Sequence, residues 1–254
     1  MILDSDITQV YNDYLPQLKS YLYRMTCDKE VVNDLSQDTF LKAIEKRSQF
    51  NESSSLKTWI FSIATNLAID WLRKRNRWAE KAQDDAKSIS QSEPTYKTTY
   101  LDINSNSPNG AFDFKEHISF CFTCISKTLV IEQQVALILK DIYDFKVSEI
   151  STILATPQGT VKHWLFVARQ SMTEIFDRRC ALINKKGVCH QCSELSGLFN
   201  PKQKLPTNIF PQTGKKNLYE LRARLVKTIN PITSDGSELE DCIMQILRKA
   251  INDK

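Results

Sequence analysis

The chain reads Thr156-Pro157-Gln158-Gly159-Thr160-Val161-Lys162 between two apolar helical runs. A Thr hydroxyl can cap the free N–H groups that open a helix. Proline suits the first helical position, where its N–H is not needed and its φ is already helical. Val161, Leu165, Ala168 and Met172 then recur at helical spacing and are expected to face inward. Lys162, His163, Phe166 and Arg169 fall on the other faces. A turn of this kind, followed by a helix with such a surface, reads as a helix-turn-helix whose second helix meets a DNA groove.

A second group of reactive types lies at Cys180 and Cys189-His190-Gln191-Cys192. Cys180, Cys189 and Cys192 offer three thiolates for tetrahedral zinc, with His190, Cys242 or a remote group as the fourth ligand. Neighbouring Cys189 and His190 on one ion make a strained geometry. The order is not Cys-x-x-Cys-His, so haem attachment is not indicated. The same thiols also read as a redox pair, or as small buried hydrophobes in a helical appendix. Cys121 and Cys124 share the spacing but stand in the apolar run Ile118 to Ile125 and read as core. No nucleophile–base set, phosphate-binding loop or carboxylate pair stands out, so no enzymatic activity is expected.

The elements that must position these groups are helical. With 254 residues the chain has length for one large domain or two to three small ones; 41% hydrophobic residues allow packed cores, and only 6 Gly suggest few tight turns and a mainly helical protein. The net charge of +4 permits nucleic-acid binding without requiring it. No basic start followed by an apolar run marks a signal peptide, and no run approaches the ~20 apolar residues of a membrane span. The expected location is the cytoplasm, where the seven Cys would be thiols or metal ligands.

A first helix is expected over Asp6 to Met25, kinked or started at Pro16. A second runs from Asp28 to Arg47, with Val31, Leu35, Thr39 and Ala43 inward. The polar stretch Asn51 to Ser55 is a loop. A third helix spans Leu56 to Arg77 with two apolar rows, Trp59, Ile63, Leu67 and Trp71 beside Ile60, Ala64, Ala68 and Leu72; it ends in Arg73-Lys74-Arg75-Asn76-Arg77. Residues 82–111 have linker composition. Order resumes at Phe112 and continues to Arg179, with Ile131 to Tyr143 and Ser148 to Leu154 as helices before the turn. Beyond Cys180, Leu218, Leu221, Leu225 and Ile229 mark one helix, and Ser237 with Glu240 opens another as a capping box.

The order of these parts resembles a bacterial RNA polymerase sigma factor of the extracytoplasmic-function (ECF) type. Asp34-Leu35-Ser36-Gln37-Asp38-Thr39-Phe40-Leu41-Lys42-Ala43 resembles the polymerase-binding helix of region two, and Leu56 to Arg75 the promoter-facing helix that follows it. Ser148-Glu149-Ile150, Gly159-Thr160-Val161-Lys162 and Ala168-Arg169 resemble region four. The resemblance covers residues 6 to 178. The chain departs from the family pattern at Leu129-Val130-Ile131, where a Leu-Pro pair is usual. It departs again at Ser151, where Ala is usual, at Ala155, where Gly is usual, and in a recognition helix less basic than most.

The resemblance implies an all-α architecture of four segments. Residues 1–81 would be region two, 82–111 a flexible linker, 112–179 region four, and 180–254 an appended Cys-containing helical extension. It implies a transcription initiation factor without covalent chemistry and with no required cofactor. Its partners would be core RNA polymerase, promoter DNA and an anti-sigma factor. Asp34, Leu35, Gln37, Asp38 and Leu41 would meet the polymerase.

Asn51, Ser53, Ser54, Lys57, Thr58 and Trp59 would hold the −10 element, small polar groups bonding an extruded base edge and an aromatic face stacking on it; Trp59 equally reads as core. Arg73, Lys74, Arg75 and Arg77 would neutralise phosphates. Gln158, Thr160, Lys162, His163, Phe166 and Arg169 would contact the −35 element, where Lys and Arg reach guanine and Gln pairs with adenine. Two other classes fit the same residues: a helix-turn-helix regulator that works without polymerase, and a metal- or thiol-responsive sensor that binds DNA.

Overall fold

The computed structural model describes residues 3–75, 77–79, 82, 114–179, 215–235 and 237–252. Nearly all of the 82–111 linker, and Cys180, Cys189, His190 and Cys192, lie outside these residues. Regular structure among the described residues is helical, and no helix there is long and apolar enough to cross a membrane. The chain divides into two compact units: Met1–Asn76 with Val130–Ala168, and Arg77–Leu129 with Arg169–Lys254. These units cut across the sequence segments, because composition marks the segments whereas packing marks the units.

The first unit begins with α1 (Asp4–Thr26), α2 (Lys29–Glu45) and α3 (Leu56–Arg73), packed pairwise as a bundle. Pro16 neither starts nor ends α1, which runs through it as one helix. Pro16 and Asn12, four residues before it, are exposed, so the carbonyl that loses its helical donor lies on the solvent side. Cys27 stops α1 in the left-handed region at φ 57°. The Asp28 carboxylate then accepts the Glu30 and Val31 N–H groups at 3.1 and 3.3 Å and opens α2. A short 3₁₀ turn, Arg47–Gln49, leads into the loop.

Ser55 Oγ accepts the Thr58 N–H at 3.1 Å and caps α3. Of its two apolar rows, Ile60, Ala64, Ala68 and Leu72 are buried, while Trp59, Ile63, Leu67 and Trp71 are half-buried. The helix ends at Arg73 and not at Arg77. The apolar rows stop at Leu72, so nothing anchors further turns of adjacent cations.

The same unit holds α5 (Ile131–Asp141), α6 (Val147–Ile153) and the first part of α7 (Gln158–Arg179). Ala155 turns the chain between α6 and α7 at φ 48°. Here the Thr156 hydroxyl does not cap α7; it donates to the Leu154 carbonyl at 3.0 Å. The turn is braced from both sides: Thr156 N–H donates to Ser151 O at 3.0 Å and Ser151 Oγ donates to Thr156 O at 2.5 Å. Val161, Leu165 and Ala168 are buried as expected.

The second unit contains α4 (Phe114–Ser126), the rest of α7, α8 (Lys215–Lys227) and α9 (Ser237–Asn252). α4 packs on α8. Phe122 faces Tyr219 with ring centroids 6.4 Å apart, and Cys124 Sγ lies 3.9 Å from Met244 Sδ. Buried Arg222 lies 3.4 Å from Asp177 and 4.4 Å above the Phe176 ring. The helices beyond Cys180 therefore build this unit's core together with α4 and α7.

Candidate nucleic-acid and polymerase interfaces

On α2 the residues separate by helical phase. Val32, Leu35, Ser36, Thr39 and Ala43 are buried, and Asp34, Gln37, Asp38 and Leu41 are exposed. Tyr11 fixes this phase by donating its hydroxyl to Ser36 O at 2.7 Å and packing its ring 4.9 Å from Phe40. Leu35 departs from the expected contact set, because its place on the inward row puts it in the bundle core. Leu41 is 55% exposed, an apolar side chain between carboxylates and an amide. Such a face suits a partner surface of mixed polar and apolar character.

The loop before α3 is held by its own side chains. Asn51 Oδ1 accepts the Ser53 N–H at 3.1 Å, and Glu52 adopts φ 59°. Asn51 and Ser53 are exposed and Ser54 half-exposed, its hydroxyl donating to the Ser55 carbonyl at 3.4 Å. Trp59 is half-buried and stands 5.4 Å from Phe50, so it serves the bundle edge as well as presenting a ring.

Thr58 departs from the expected open contact: its exposure is 0%. Its hydroxyl bonds Ser55 Oγ at 2.8 Å and donates to Glu149 Oε1 at 3.3 Å. The Lys57 ammonium lies over the rings of Tyr14, Phe145 and Phe61 at 4.5, 4.7 and 5.8 Å. Burial lowers the pKa of Lys57 while the charge of Glu149 opposes the shift. Tyr14, Phe145 and Glu149 were not identified from sequence as neighbours of this site. The one local hint was the register of Glu149 three residues after Lys146, whose N–H it accepts at 2.7 Å.

Arg73, Lys74 and Arg75 are exposed at the end of α3. The Arg75 guanidinium lies 3.6 Å over the Trp71 ring and donates to Trp71 O at 3.0 Å, while Arg73 lies 3.6 Å from Glu132. Stacking presents a guanidinium plane with donors left over. Arg77 belongs to the other unit and donates to the Leu129 carbonyl, so it departs from the phosphate-facing run.

On α7, Gln158, Lys162 and His163 are exposed, Thr160 is half-buried, and Phe166 is 67% exposed. Val161 and Leu165 lie buried between them and fix the outward phase. Arg169, half-buried, is counted with the second unit. A Cβ added at Gly159 meets no atom within 4 Å, so the first turn of α7 presents open backbone to a ligand. Among the described residues no three His, Cys, Asp or Glu side chains converge as a metal site. Cys27, Cys121 and Cys124 are buried thiols; Cys242 is half-buried, and burial, with the charge of Asp241, raises its pKa.

Two family models match the chain. Sigma-70 region 2 matches residues 10–78 and Sigma-70, region 4, matches residues 121–172. RNA polymerase sigma factor YlaC of Bacillus subtilis (strain 168) is 34% identical over 94 residues, 37% of this chain and 51% of that protein. ECF RNA polymerase sigma factor SigM of the same organism is 27% identical over 172 residues, 68% of this chain and 96% of that protein. ECF RNA polymerase sigma factor SigG of Mycobacterium tuberculosis is 25% identical over 171 residues, 64% of this chain and 46% of that protein. The chain thus spans about half the length of the first curated relatives it matches. The solved structure of sigma factor RpoE with the anti-sigma factor NepR from Bartonella quintana aligns with TM-score 0.47 at 22% identity, over 67% of this chain and 96% of that one.

Proposed function

We propose, on the premise that this chain belongs to the sigma-70 family and is of the ECF type, that it is a transcription initiation factor. It binds core RNA polymerase and directs it to promoters. It acts in the cytoplasm and catalyses no reaction itself; its partners are core polymerase, promoter DNA and an anti-sigma factor that restrains it.

The observation that carries this reading is the outward phase of two helices. On α2, buried Val32, Leu35, Thr39 and Ala43 leave Asp34, Gln37, Asp38 and Leu41 to a partner. On α7, buried Val161 and Leu165 leave Gln158, Lys162, His163 and Phe166 to a DNA groove. Arg73, Lys74 and Arg75 supply phosphate contacts, which give affinity and register without sequence information. The loop 51–55 and the start of α3 supply the polar and aromatic groups that hold single-stranded bases. The four segments 1–81, 82–111, 112–179 and 180–254 are the functional divisions of this reading. Zinc on Cys180, Cys189 and Cys192 belongs to it as well, and metal analysis of the purified chain tests it.

In vitro transcription with core polymerase on a genomic fragment library tests the central reading. Transcripts starting at a common upstream sequence, together with co-purification with core polymerase, are the expected result. Sequence-specific DNA binding without polymerase association would overturn it in favour of a free-standing helix-turn-helix regulator.

A further inference from the structure

Most side chains of the loop 51–55 are engaged in holding it. Asn51 Oδ1 accepts the Ser53 N–H at 3.1 Å, and Ser54 Oγ donates to the Ser55 carbonyl at 3.4 Å. Ser55 Oγ accepts the Thr58 N–H at 3.1 Å and lies 2.8 Å from Thr58 Oγ1. Glu52 and Ser53 are exposed, and among the described residues no group bonds either side chain. Glu52 sits at φ 59°, in a left-handed region that Gly and Asn adopt more readily than Glu. The bonds around it hold the backbone there, and backbone strain of this kind collects at sites that contact ligands.

The two groups left over differ in what they can tell apart. A hydroxyl donates and accepts, so Ser53 suits any base edge. A carboxylate only accepts, through two oxygens side by side. Guanine is the base whose pairing edge offers two adjacent donors, N1–H and the N2 amine. Adenine and cytosine each set an amine beside a bare ring nitrogen, whose lone pair repels a carboxylate oxygen. Thymine sets its single N–H between two carbonyls. This edge is covered in a duplex and bared on an extruded base. The charge of Glu52 also repels phosphates, so it weakens the hold on a strand that gives it nothing to bond.

We propose that Glu52 is a specificity-determining residue that selects guanine as the base taken up by the 51–55 loop. This deepens the proposed function and rests on it: the loop is the −10 contact of that reading. Its neighbours in the contact set hold the loop or stack on the strand, and Glu52 supplies the discrimination between bases.

The test is in vitro transcription by core polymerase with the full chain, on templates whose −10 region is randomised. Wild type should favour guanine at one position by about tenfold, the discrimination that one bidentate contact gives. Glu52→Gln keeps the size of the side chain and turns one acceptor into a donor. It should flatten the preference at that position alone and raise output from the other templates. Glu52→Gly suits the left-handed backbone and should flatten it too, which separates loss of the carboxylate from a change of loop shape. Replacing the favoured guanine with hypoxanthine removes only the N2 amine. Hypoxanthine also weakens the base pair and so eases opening; a fall in wild-type output therefore reports the missing contact, and Glu52→Gln should not show that fall. A guanine preference that survives Glu52→Gln, or its absence from wild type, would overturn the assignment while leaving promoter-directed transcription intact. No specific initiation by wild type on any template would overturn the functional reading, and the assignment with it.

Discussion

His117 is wholly buried in α4, its Nε2 3.4 Å from Cys121 Sγ, and burial lowers its pKa from 6.5 to about 4. The folded chain therefore holds it neutral where the unfolded chain is protonated. Its contribution to stability is whole above pH 6.5 and drains as the pH falls from 6.5 toward 4. The sum at stake is on the order of 3 kcal/mol. Thermal unfolding of wild type and His117→Gln across this interval should show the acid loss of Tm flattened in the variant. The exposed cations at the end of α3 answer to a different measurement. Replacing Arg73, Lys74 and Arg75 with Ala should weaken DNA binding by the polymerase complex across all sequences. It should also reduce the salt slope of log K by about 0.9 for each duplex phosphate the variant no longer neutralises. An unchanged slope would show that these three cations do not meet the phosphates. Both cases rest on the immediate surroundings of the side chains concerned, which sequence spacing suggests for the three cations and not for the histidine.

The turn between α6 and α7 gives the family pattern a physical reason. Ala155 stands where Gly is usual and adopts φ 48°, a region where a Cβ crowds the following carbonyl. The cross-brace between Ser151 and Thr156 offsets that strain. Ala155→Gly should therefore stabilise the fold by about 0.5–1 kcal/mol, the relief of strain exceeding the added entropy of the unfolded chain. Chemical denaturation checks this; a destabilised variant would show that Ala155 sits there without strain. Other element-scale features were legible from sequence. The inward rows of α2, α3 and α7 follow from a period of 3.6, and Asp28 and Ser55 cap where their side chains direct. Two features were not. Pro16 is tolerated because its face of α1 is solvent-exposed, and α3 stops at Arg73 because its apolar rows end.

For the molecule as a whole, the helices after Cys180 are structural members and not an ornament. α8 packs on α4, and Arg222 lies buried beside Asp177 and Phe176 of α7. Deleting residues 180–254 should expose the apolar face of α4 that carries Phe122 and Cys124. Increased dye binding and faster proteolysis of α4 are expected; a truncated chain as resistant as wild type would show that α4 needs no cover. A loss of transcription on truncation must accordingly be read against such unfolding. The sequence alone determined the all-α class, the helix-turn-helix, the outward groups of α2 and α7, and the order of regions, because helical phase and capping are local and repeat within a few residues. Only the tertiary structure decided that Thr58 lies under Glu149, that Lys57 meets the rings of Tyr14 and Phe145, and that α4 shares a core with α8. Those pairings join residues far apart in the chain, and they are selected by the shape and polarity of whole faces meeting, which no local pattern encodes.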